Sequence, residues 1–306
     1  MHSLHVRSGI GSPIPLIIAF SAAFIAAATT TQAQNTASCS FAFFPTLLSS
    51  PSAQLFPFGV NDFSTVVGSA SKMRNTAFIR WANGSFNFPA GTSALTSRND
   101  NGVSLGYDNN GSGILLSRSG NILSAAVRIG STKYDGPGVS FVSINNWGSV
   151  VGRYGDLAGI AHGFKRWSNG NGFVLDFPAK FKSVNAGTFP TAINDSGVIV
   201  GFTQLPYHAF IYHNGKWATL KYPNASATWL YGISNAGVIV GNAELSDGSI
   251  KAFLYEQGTF KDVIPPNTIG PGVGSGIISI SLRTGLILGF ADLHNSPRQG
   301  YIAKCN

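Results

Sequence analysis

The feature that most constrains the fold of this chain is a phrase that recurs six times along it. The full phrase holds an apolar position, a turn rich in Asn and Asp, and a short apolar strand that ends in Gly, and each copy contains it in whole or in part. The copies read VNDFSTVVG (60–68), RNDNGVSLG (98–106), INNWGSVVG (144–152), INDSGVIVG (193–201), ISNAGVIVG (233–241) and SLRTGLILG (281–289). Their closing glycines lie 38, 46, 49, 40 and 48 residues apart. A period in the forties is too long for one coil of a strand solenoid, and it is typical of a four-stranded blade.

The residue chemistry of the phrase predicts two hairpins in each unit. In the fourth copy, Asn194 and Asp195 suit a type I turn because such side chains bind nearby backbone groups, and Gly197 can take the positive φ that closes the loop. An aromatic strand follows at 208–212, and the Asn-Gly pair at 214–215 is a strong two-residue hairpin signal. The same slot is filled in other units by Asn83-Gly84, Asn169-Gly170 and Gln257-Gly258. Each unit is therefore predicted to be four short antiparallel strands.

Six such units predict an all-β fold, a six-bladed β-propeller of four-stranded antiparallel blades that occupies residues 34–306 as one domain. Two stacked sandwiches and an open β-solenoid are the alternatives. The propeller is favoured because a closed ring leaves no exposed sheet edge at its ends, which an open stack would have to cap.

The two ends of the chain complement each other in this scheme. The last unit stops at GYIAKCN (300–306), which matches a third strand, and it lacks a fourth. The segment that begins at Cys39 resembles the fourth strand of other units, so the N-terminal strand is predicted to complete the last blade. Cys305 then aligns with Asn214, and a Cys39–Cys305 disulfide would replace the missing covalent turn. Two free thiols in separate places are the alternative.

Composition and charge narrow the class of protein. Charged residues make up 10% of the chain, aromatic residues 12%, and there are 37 glycines, which differs from the composition of disordered segments. The net charge is +8, but Lys and Arg form no run of the kind that tracks a phosphate backbone. A nucleic-acid partner is therefore not expected.

The N-terminus predicts export. An apolar run of 16 residues (13–28) follows a weakly basic start, and Thr31 and Ala33 place small residues where a signal peptidase reads. Residues 1–33 are expected to be a signal peptide, which leaves no stable membrane span after cleavage and a secreted, periplasmic or cell-surface protein. An uncleaved anchor and a lipobox that ends at Cys39 are the alternatives.

The phrase with its aromatic strand resembles the HAF repeat of exported bacterial proteins, which is named for a His-Ala-Phe triplet. The full triplet stands at His208, and near matches stand at 162–164, 76–78 and 251–253. The resemblance covers nearly all of the mature chain. It implies an extracellular or cell-surface protein of propeller type, and it implies no reaction.

A search for catalytic and metal-binding motifs yields no catalytic residue, no metal ligand set and no cofactor motif. The sequence has neither a Gly-x-Ser-x-Gly elbow nor a His-Glu-x-x-His helix, and only two glutamates, Glu244 and Glu256. His162 and His208 share one repeat position, which favours a structural hydrogen bond to a neighbouring blade. The repeated turn residues Asn61, Asn99, Asn145 and Asn194 are interpreted as turn formers and not as a ring of ligands.

One pattern points to a binding surface. An acidic residue opens the segment after the closing glycine in four units, at Asp108, Asp156, Glu244 and Asp292. Aromatic and Arg side chains lie in or near the same loops, which share a propeller face with the links between blades. The candidate ligand-binding residues are Tyr107, Arg153, Tyr154, Asp156, Trp229 and Arg298, with Tyr207 beside them. Aromatic rings with carboxylates and Arg suit sugar or polymer binding, and ordinary solvated loops are the alternative.

These observations favour a monomeric, non-enzymatic binding module for a glycan, a polymer or a protein partner. The alternative is a polysaccharide lyase or glycosidase that acts at the loop face, with Arg neutralising an acidic sugar. A purely structural surface module is the third possibility.

Export predicts a defined mature N-terminus. Mass spectrometry of the chain recovered from outside the cytoplasm should find Gln34 as the first residue, because Thr31 and Ala33 occupy the positions that signal peptidase reads. A mature, membrane-free chain that still carries Met1 would contradict the prediction.

Overall fold

Six β-sheets arranged in a ring make up the fold. The computed structural model describes residues 35–46, 54–71, 76–134, 138–178, 187–204, 207–268, 275–294 and 298–306. Every regular element in these ranges is a strand, and none of them contains a helix that could cross a membrane. The predicted signal peptide at 1–33 lies outside the described residues.

Three blades have the expected form, with four antiparallel strands that pair in sequence order. Blade 1 consists of β3 (Leu55–Val60), β4 (Val66–Ala70), β5 (Thr76–Arg80) and β6 (Phe86–Asn87). Blade 2 consists of β7 (Thr92–Arg98), β8 (Ser104–Asp108), β9 (Gly113–Leu116) and β10 (Ile122–Ser124). Blade 4 consists of β17 (Thr188–Ile193), β18 (Ile199–Thr203), β19 (Ala209–His213) and β20 (Lys216–Leu220).

Two blades carry extra strands that the sequence pattern did not predict. Blade 3 consists of β13 (Val139–Ile144), β14 (Val150–Gly155), β15 (Ala161–Arg166) and β16 (Asn171–Leu175), and a hairpin of β11 (Val127–Ile129) and β12 (Thr132–Tyr134) extends it, with β11 parallel to β16. Blade 5 consists of β21 (Ala225–Ile233), β22 (Ile239–Leu245), β23 (Ile250–Glu256) and β24 (Thr259–Asp262), and β1 (Asn35–Thr36) runs parallel to β24.

Blade 6 confirms the predicted ring closure. It consists of β25 (Ser275–Ile280), β26 (Leu286–Ala291), β27 (Gln299–Cys305) and the N-terminal β2 (Cys39–Pro45). Cys39 pairs with Cys305 in the β2–β27 ladder, and the two form a disulfide with a Cα–Cα distance of 4.0 Å. When blade 6 is aligned with blade 4 so that Tyr301 matches Phe210, Cys305 falls at the position of Asn214 and Cys39 at that of Gly215. The disulfide thus stands where other blades have a covalent turn.

The blades stack in chain order around a central channel. The second strand of each blade packs against the first strand of the next, including β26 of blade 6 against β3 of blade 1. One face of the ring, here called the turn face, carries the turns at 61–65, 99–103, 145–149, 194–198 and 234–238. The opposite face, here called the loop face, carries the segments 109–112, 156–160 and 246–249.

The closing glycine of each phrase is required by close packing. A Cβ on Gly201 would lie 2.2 Å from the carbonyl oxygen of Phe189 and 2.7 Å from the ring of Phe210, closer than real Cβ contacts. The closing glycines of the other five blades face a first-strand carbonyl oxygen at 2.0–2.5 Å in the same way. The buried aromatic rings over the glycines belong to Phe78, Phe164, Phe210, Phe253 and Tyr301. This contact explains why the phrase couples a glycine to an aromatic third strand.

The first Asx residue of the phrase joins neighbouring blades. Asn194 caps its own turn, because its Oδ1 accepts the Val198 N–H at 2.9 Å, and its Nδ2 donates to the Ser234 carbonyl of blade 5 at 3.0 Å. The turn interpretation of these residues is confirmed, and the second bond was not anticipated. The same bond to the next blade runs from Asn61 to Asn99, from Asn99 to Asn145 and from Asn145 to Asn194.

The second Asx residue makes a parallel ring, here called the Asx collar. Its members are Asp62, Asp100, Asn146, Asp195 and Asn235, each of which accepts a backbone N–H of the preceding blade at 2.7–3.0 Å. In blade 6 the turn offers Leu282, whose carbonyl accepts the Asn235 N–H instead. The backbone N–H groups of Arg283 and Thr284 then donate to Asp62 and close the ring.

Two carboxyls meet at only one described junction of the collar, between blades 1 and 2. The Arg283 guanidinium lies 3.4 Å from Asp62 and 3.5 Å from Asp100. Burial disfavours both carboxylates, but hydrogen bonds from Asp100 and Thr284 outweigh it and lower the pKa of Asp62. Burial, followed by the bond to Asp62, raises the pKa of Asp100. Of the two carboxyls, Asp62 therefore loses its proton first.

The hairpin turns between third and fourth strands are of two kinds. This corrects the prediction that the same two-residue turn occurs in all four units. Asn214 and Gln257 have positive φ (47° and 49°) and precede a glycine that also has positive φ, as two-residue turns require. Asn83 and Asn169 do not, and they belong to longer turns in which only the following glycine has positive φ. Their side chains instead accept the backbone N–H two residues ahead, at 3.0 Å.

The disulfide predicts a specific loss of stability on reduction. Replacing both Cys39 and Cys305 by Ser should lower the free energy of unfolding by about 2–5 kcal/mol, because the bond restricts a loop of 266 residues in the unfolded chain. Thermal melts of the oxidised and reduced wild type and of the double variant measure it. The reductant should have no effect on the variant, and sheet content at room temperature should stay unchanged. Equal midpoints in all samples would contradict the prediction.

Candidate functional site

The central channel is lined by one extra residue from every blade. Each first strand has a register shift at the same place, so that one residue is left over in its pairing with the second strand. The extra residues are Phe58, Thr96, Val142, Thr191, Tyr231 and Ile278, and all six line a cavity of about 280 Å³. The bulges therefore turn side chains out of the blade stack and into the channel.

The two threonine hydroxyls among these six are already bonded. The Thr96 hydroxyl donates to the Phe141 carbonyl of blade 3 at 3.0 Å, and the Thr191 hydroxyl donates to the Leu230 carbonyl of blade 5 at 2.7 Å. Phe58, Val142 and Ile278 present carbon groups only, and Tyr231 presents a ring that carries one hydroxyl. The middle of the channel is therefore a mostly apolar wall.

An aromatic cluster with one arginine lies on the loop-face side of the channel. Phe189 and Phe202 stack at 5.4 Å with an interplanar angle of 3°, and Phe202 meets the edge of Tyr231 of blade 5 at 6.3 Å. The guanidinium of Arg153, from blade 3, lies 5.0 Å from the Phe189 ring centroid. Arg153, Phe202 and Tyr231 all line the cavity.

Arg153 is a half-buried cation without an acidic partner. Among the described residues no carboxylate lies within 4.0 Å of it, and its guanidinium donates no hydrogen bond to any of them. Burial lowers the pKa of Arg153, although the group stays protonated at ordinary pH. It is therefore a positive charge on the wall of an apolar cavity, open to an anion.

Of the predicted ligand-binding residues, Arg153 is the one that lines the channel cavity. Tyr107 holds two blades together, because its hydroxyl accepts the Phe141 N–H at 2.9 Å and lies 3.3 Å from the Phe141 carbonyl. Trp229 lies inside β21 and not in a loop, where its ring meets Tyr207 edge-on at 5.6 Å. Arg153 and Trp229 thus lie at the equivalent rung of the ladders of blades 3 and 5, whereas Tyr107 makes an inter-blade bond.

Arg298 is already paired. It makes two hydrogen bonds to Asp292, at 2.7 and 2.9 Å, and stacks over Phe290 at 4.6 Å. The bond to Asp292 raises the pKa of Arg298 and lowers that of Asp292. This arginine differs from Arg153 in having its charge neutralised within its own blade.

Tyr154 and Asp156 surround a histidine on the loop face of blade 3. His162 Nδ1 lies 2.7 Å from Asp176 Oδ2, and its Nε2 lies 3.3 Å from Asp156 Oδ2. The expected bond from His162 to a neighbouring blade is wrong, because both carboxylates belong to the histidine's own blade and the link that follows it. Tyr154 stacks on the imidazole at 5.3 Å and on Tyr134 at 4.5 Å. Burial, with a smaller effect of Tyr134 and Asp176, raises the pKa of Tyr154 to about 12.

His208 has a different environment at the same repeat position. Its backbone N–H donates to the Thr203 hydroxyl at 3.0 Å, and its ring stacks on Phe177 at 6.4 Å. Among the residues that the structure describes, no three His, Cys, Asp or Glu side chains come together as metal ligands.

Sequence reasoning missed Phe189, Phe202 and Tyr231. A signal for them exists in the alignment of the repeats. In the β-ladders the residue after the closing glycine pairs with the residue two places before the bulge. The six pairs are Ser69–Phe56, Tyr107–Ala94, Arg153–Ser140, Phe202–Phe189, Asn242–Trp229 and Phe290–Gly276. Only the pair in blade 4 combines two aromatic rings, and the other five combine a larger with a smaller residue.

Comparisons with known proteins show the fold alone. No family model matches the chain. No curated protein matches it. Solved structures do match: TolB from Acinetobacter baumannii has 12% identity and a TM-score of 0.51 over 80% of this chain. The gluconolactonase XC5397 from Xanthomonas campestris has 9% identity and a TM-score of 0.49, covering 83% of this chain and 90% of its own. This chain spans 65% of the TolB length.

The contacts of His162 with Asp176 and Asp156 predict that the free energy of unfolding depends on pH. Burial opposes the charged imidazolium, but the bonds to Asp176 and Asp156 outweigh it and raise the pKa of His162. A histidine with a raised folded-state pKa stabilises the fold fully below the unfolded value of about 6.5, and this stabilisation is lost as pH rises through the folded value.

The variant His162→Gln should therefore melt below the wild type at pH 6, and the gap should narrow by pH 9. The expected difference is on the order of 1 kcal/mol, because the site is partly exposed. Thermal melts of both proteins across this range measure it, and the comparison cancels every other titrating group that the two share. A gap that is constant with pH would contradict the assigned pairing.

Proposed function

We propose that this chain is an exported propeller that serves as a binding module, with its ligand site in the central channel on the loop-face side. The observation that carries the proposal is the unpaired Arg153 on the apolar and aromatic loop-face side of the cavity. A cavity with a few polar groups among apolar and aromatic ones is the usual form of a small-ligand site.

Departure from the repeat supports the location of the site. The turns, closing glycines and bulges recur in the blades because each blade must solve the same packing problem. The Phe189–Phe202 stack and the arginine above it occur in one place only among the described blades. A feature that the scaffold does not require in the other blades is best explained by a ligand.

Export is part of the proposal. The Cys39–Cys305 disulfide is typical of an oxidising compartment, and it fits the signal peptide expected at 1–33. A kinship with exported HAF-repeat proteins is proposed on the same grounds, from the phrase and the His-Ala-Phe triplet at His208. The protein would then meet its ligand in the periplasm, at the cell surface or in the medium.

The geometry favours a ligand group that enters the channel over a polymer lying across the face. A cavity of about 280 Å³ is at the lower end of the range for small-molecule sites. A glycan or polymer would fit only through a terminal group. Of the partners expected from the sequence, those with a small end group are therefore favoured.

The proposal predicts that a blocked channel loses its ligand. In Val142→Trp a larger side chain at a channel-lining bulge should weaken binding at least about tenfold, because it occupies the cavity. Purified mature chain would be screened by thermal shift and titration against glycans, soluble polysaccharides and small organic molecules, and each hit would be measured again with the variant.

Two further variants make the result interpretable. Trp147→Ser changes an exposed residue of the turn face (72% accessible) and should keep full affinity. Phe202→Ala removes part of the wall without filling the cavity, and it covers the case in which Val142→Trp fails to fold. Hits that keep their affinity in both channel variants would overturn the site, and depolymerisation of a polysaccharide by the wild type would support an enzyme instead.

A further inference from the structure

We infer that the ligand of this channel is a small organic carboxylate with a flat apolar body, held with its carboxylate on Arg153 and its body against Phe202, Tyr231 and Phe58. The inference rests on the proposed function and specifies its chemistry. It follows from the size of the cavity, the position of its charges and the scarcity of free hydrogen-bonding groups on its wall.

The size of the cavity limits the ligand to about one ring with a short chain. Its volume of about 280 Å³ is bounded by residues from the first strands of all six blades. The side chains that would contact the ligand are the bulge residues and Phe202. An oligomer would have to remain largely outside.

The charges of the cavity favour a single negative group at the loop-face end. Arg153 is the cation that lines the cavity on that side, and the planar N–H donors of the guanidinium match a carboxylate in two-point contact. Arg98 and Asp100 line the opposite end. Arg98 donates to the Ser104 hydroxyl at 2.7 Å and lies over the Trp81 ring, and Asp100 is bonded into the Asx collar by Asn146 and the Asp62 N–H. A ligand with one carboxylate would therefore orient its charge toward the loop face and its apolar end toward the middle of the channel.

The wall favours an apolar body over a sugar ring. The hydroxyls of Thr96 and Thr191 are bonded to backbone carbonyls, and the hydroxyl of Ser97 accepts the Ile144 N–H at 3.4 Å. Phe58, Val142 and Ile278 supply carbon surface, and Tyr231 supplies a ring with a single hydroxyl. A sugar would bury several hydroxyls without partners, and each such group weakens binding. A flat apolar ring has no such groups and can pack against Phe202 and Tyr231.

The experiment uses 3-phenylpropanoate as the probe, its neutral amide 3-phenylpropanamide, and glucuronate as a carboxylate on a sugar ring. Isothermal titration of the oxidised mature chain should show binding of 3-phenylpropanoate about 10–100-fold tighter than that of the amide, because a charge-assisted bond to Arg153 is lost in the amide. Glucuronate should bind at least about tenfold more weakly than 3-phenylpropanoate.

Matched arginine variants test the contact. Arg153→Gln should abolish the preference for the carboxylate over the amide, and Arg153→Lys should restore part of it. Arg298→Gln is the control, because Arg298 stacks on an aromatic ring of the same face but is already paired with Asp292. It should leave both affinities unchanged, and melting curves establish that each variant is folded.

The outcomes separate the inference from the proposed function. Equal binding of acid and amide, both lost in Val142→Trp, would overturn the carboxylate while leaving the channel site intact. Tighter binding of glucuronate would overturn the apolar body in favour of an acidic sugar. Absence of binding by 3-phenylpropanoate at millimolar concentration would overturn the inference, and an affinity that survives both Arg153→Gln and Val142→Trp would place the probe outside the channel.

Discussion

The hydrogen bond from one turn to the next determines how neighbouring blades meet, in addition to the apolar clusters packed between them. Asn194 shows how one side chain does this: its oxygen closes its own turn while its amide donates to the next blade. The Asx collar adds a second bond at the same junctions. The first Asn of the turn therefore stabilises a hairpin and a blade contact together, and its loss would disturb both. The recurrence of the phrase in a chain with few charges follows from this double role.

The same constraint determines the shape of the channel. The collar fixes the turn-face end of every first strand, and the closing glycine fixes where its carbonyl meets the second strand, as at Gly201 and Phe189. The extra residue between these two fixed points cannot be absorbed in the ladder and turns into the channel. The wall of the cavity is thus a consequence of the scaffold, and only the identity of the six bulge residues is free to vary with function.

The sequence predicted the features that repeat and those that complete the ring. Sequence alone predicts the number of blades, the positive φ of Gly197 and the Cys39–Cys305 bond. Each of these depends on local turn chemistry or on the alignment of one unit with another. The hairpin β11–β12 and the short strand β1 were not readable. They pair in parallel with β16 and β24, and such pairing is determined by tertiary contact and has no turn signal in the sequence.

The candidate site was only partly readable for a related physical reason. Composition drew attention to aromatic and charged residues near the loops, but it cannot tell a partnered side chain from a free one. Arg153 and Arg298 look alike in sequence, each within six residues of an aromatic and an acid. In the fold Arg298 is neutralised by Asp292, whereas no described acid reaches Arg153 across the Phe189 ring. What distinguishes a binding arginine here is the absence of a near acidic partner, and that depends on which blade lies next to it.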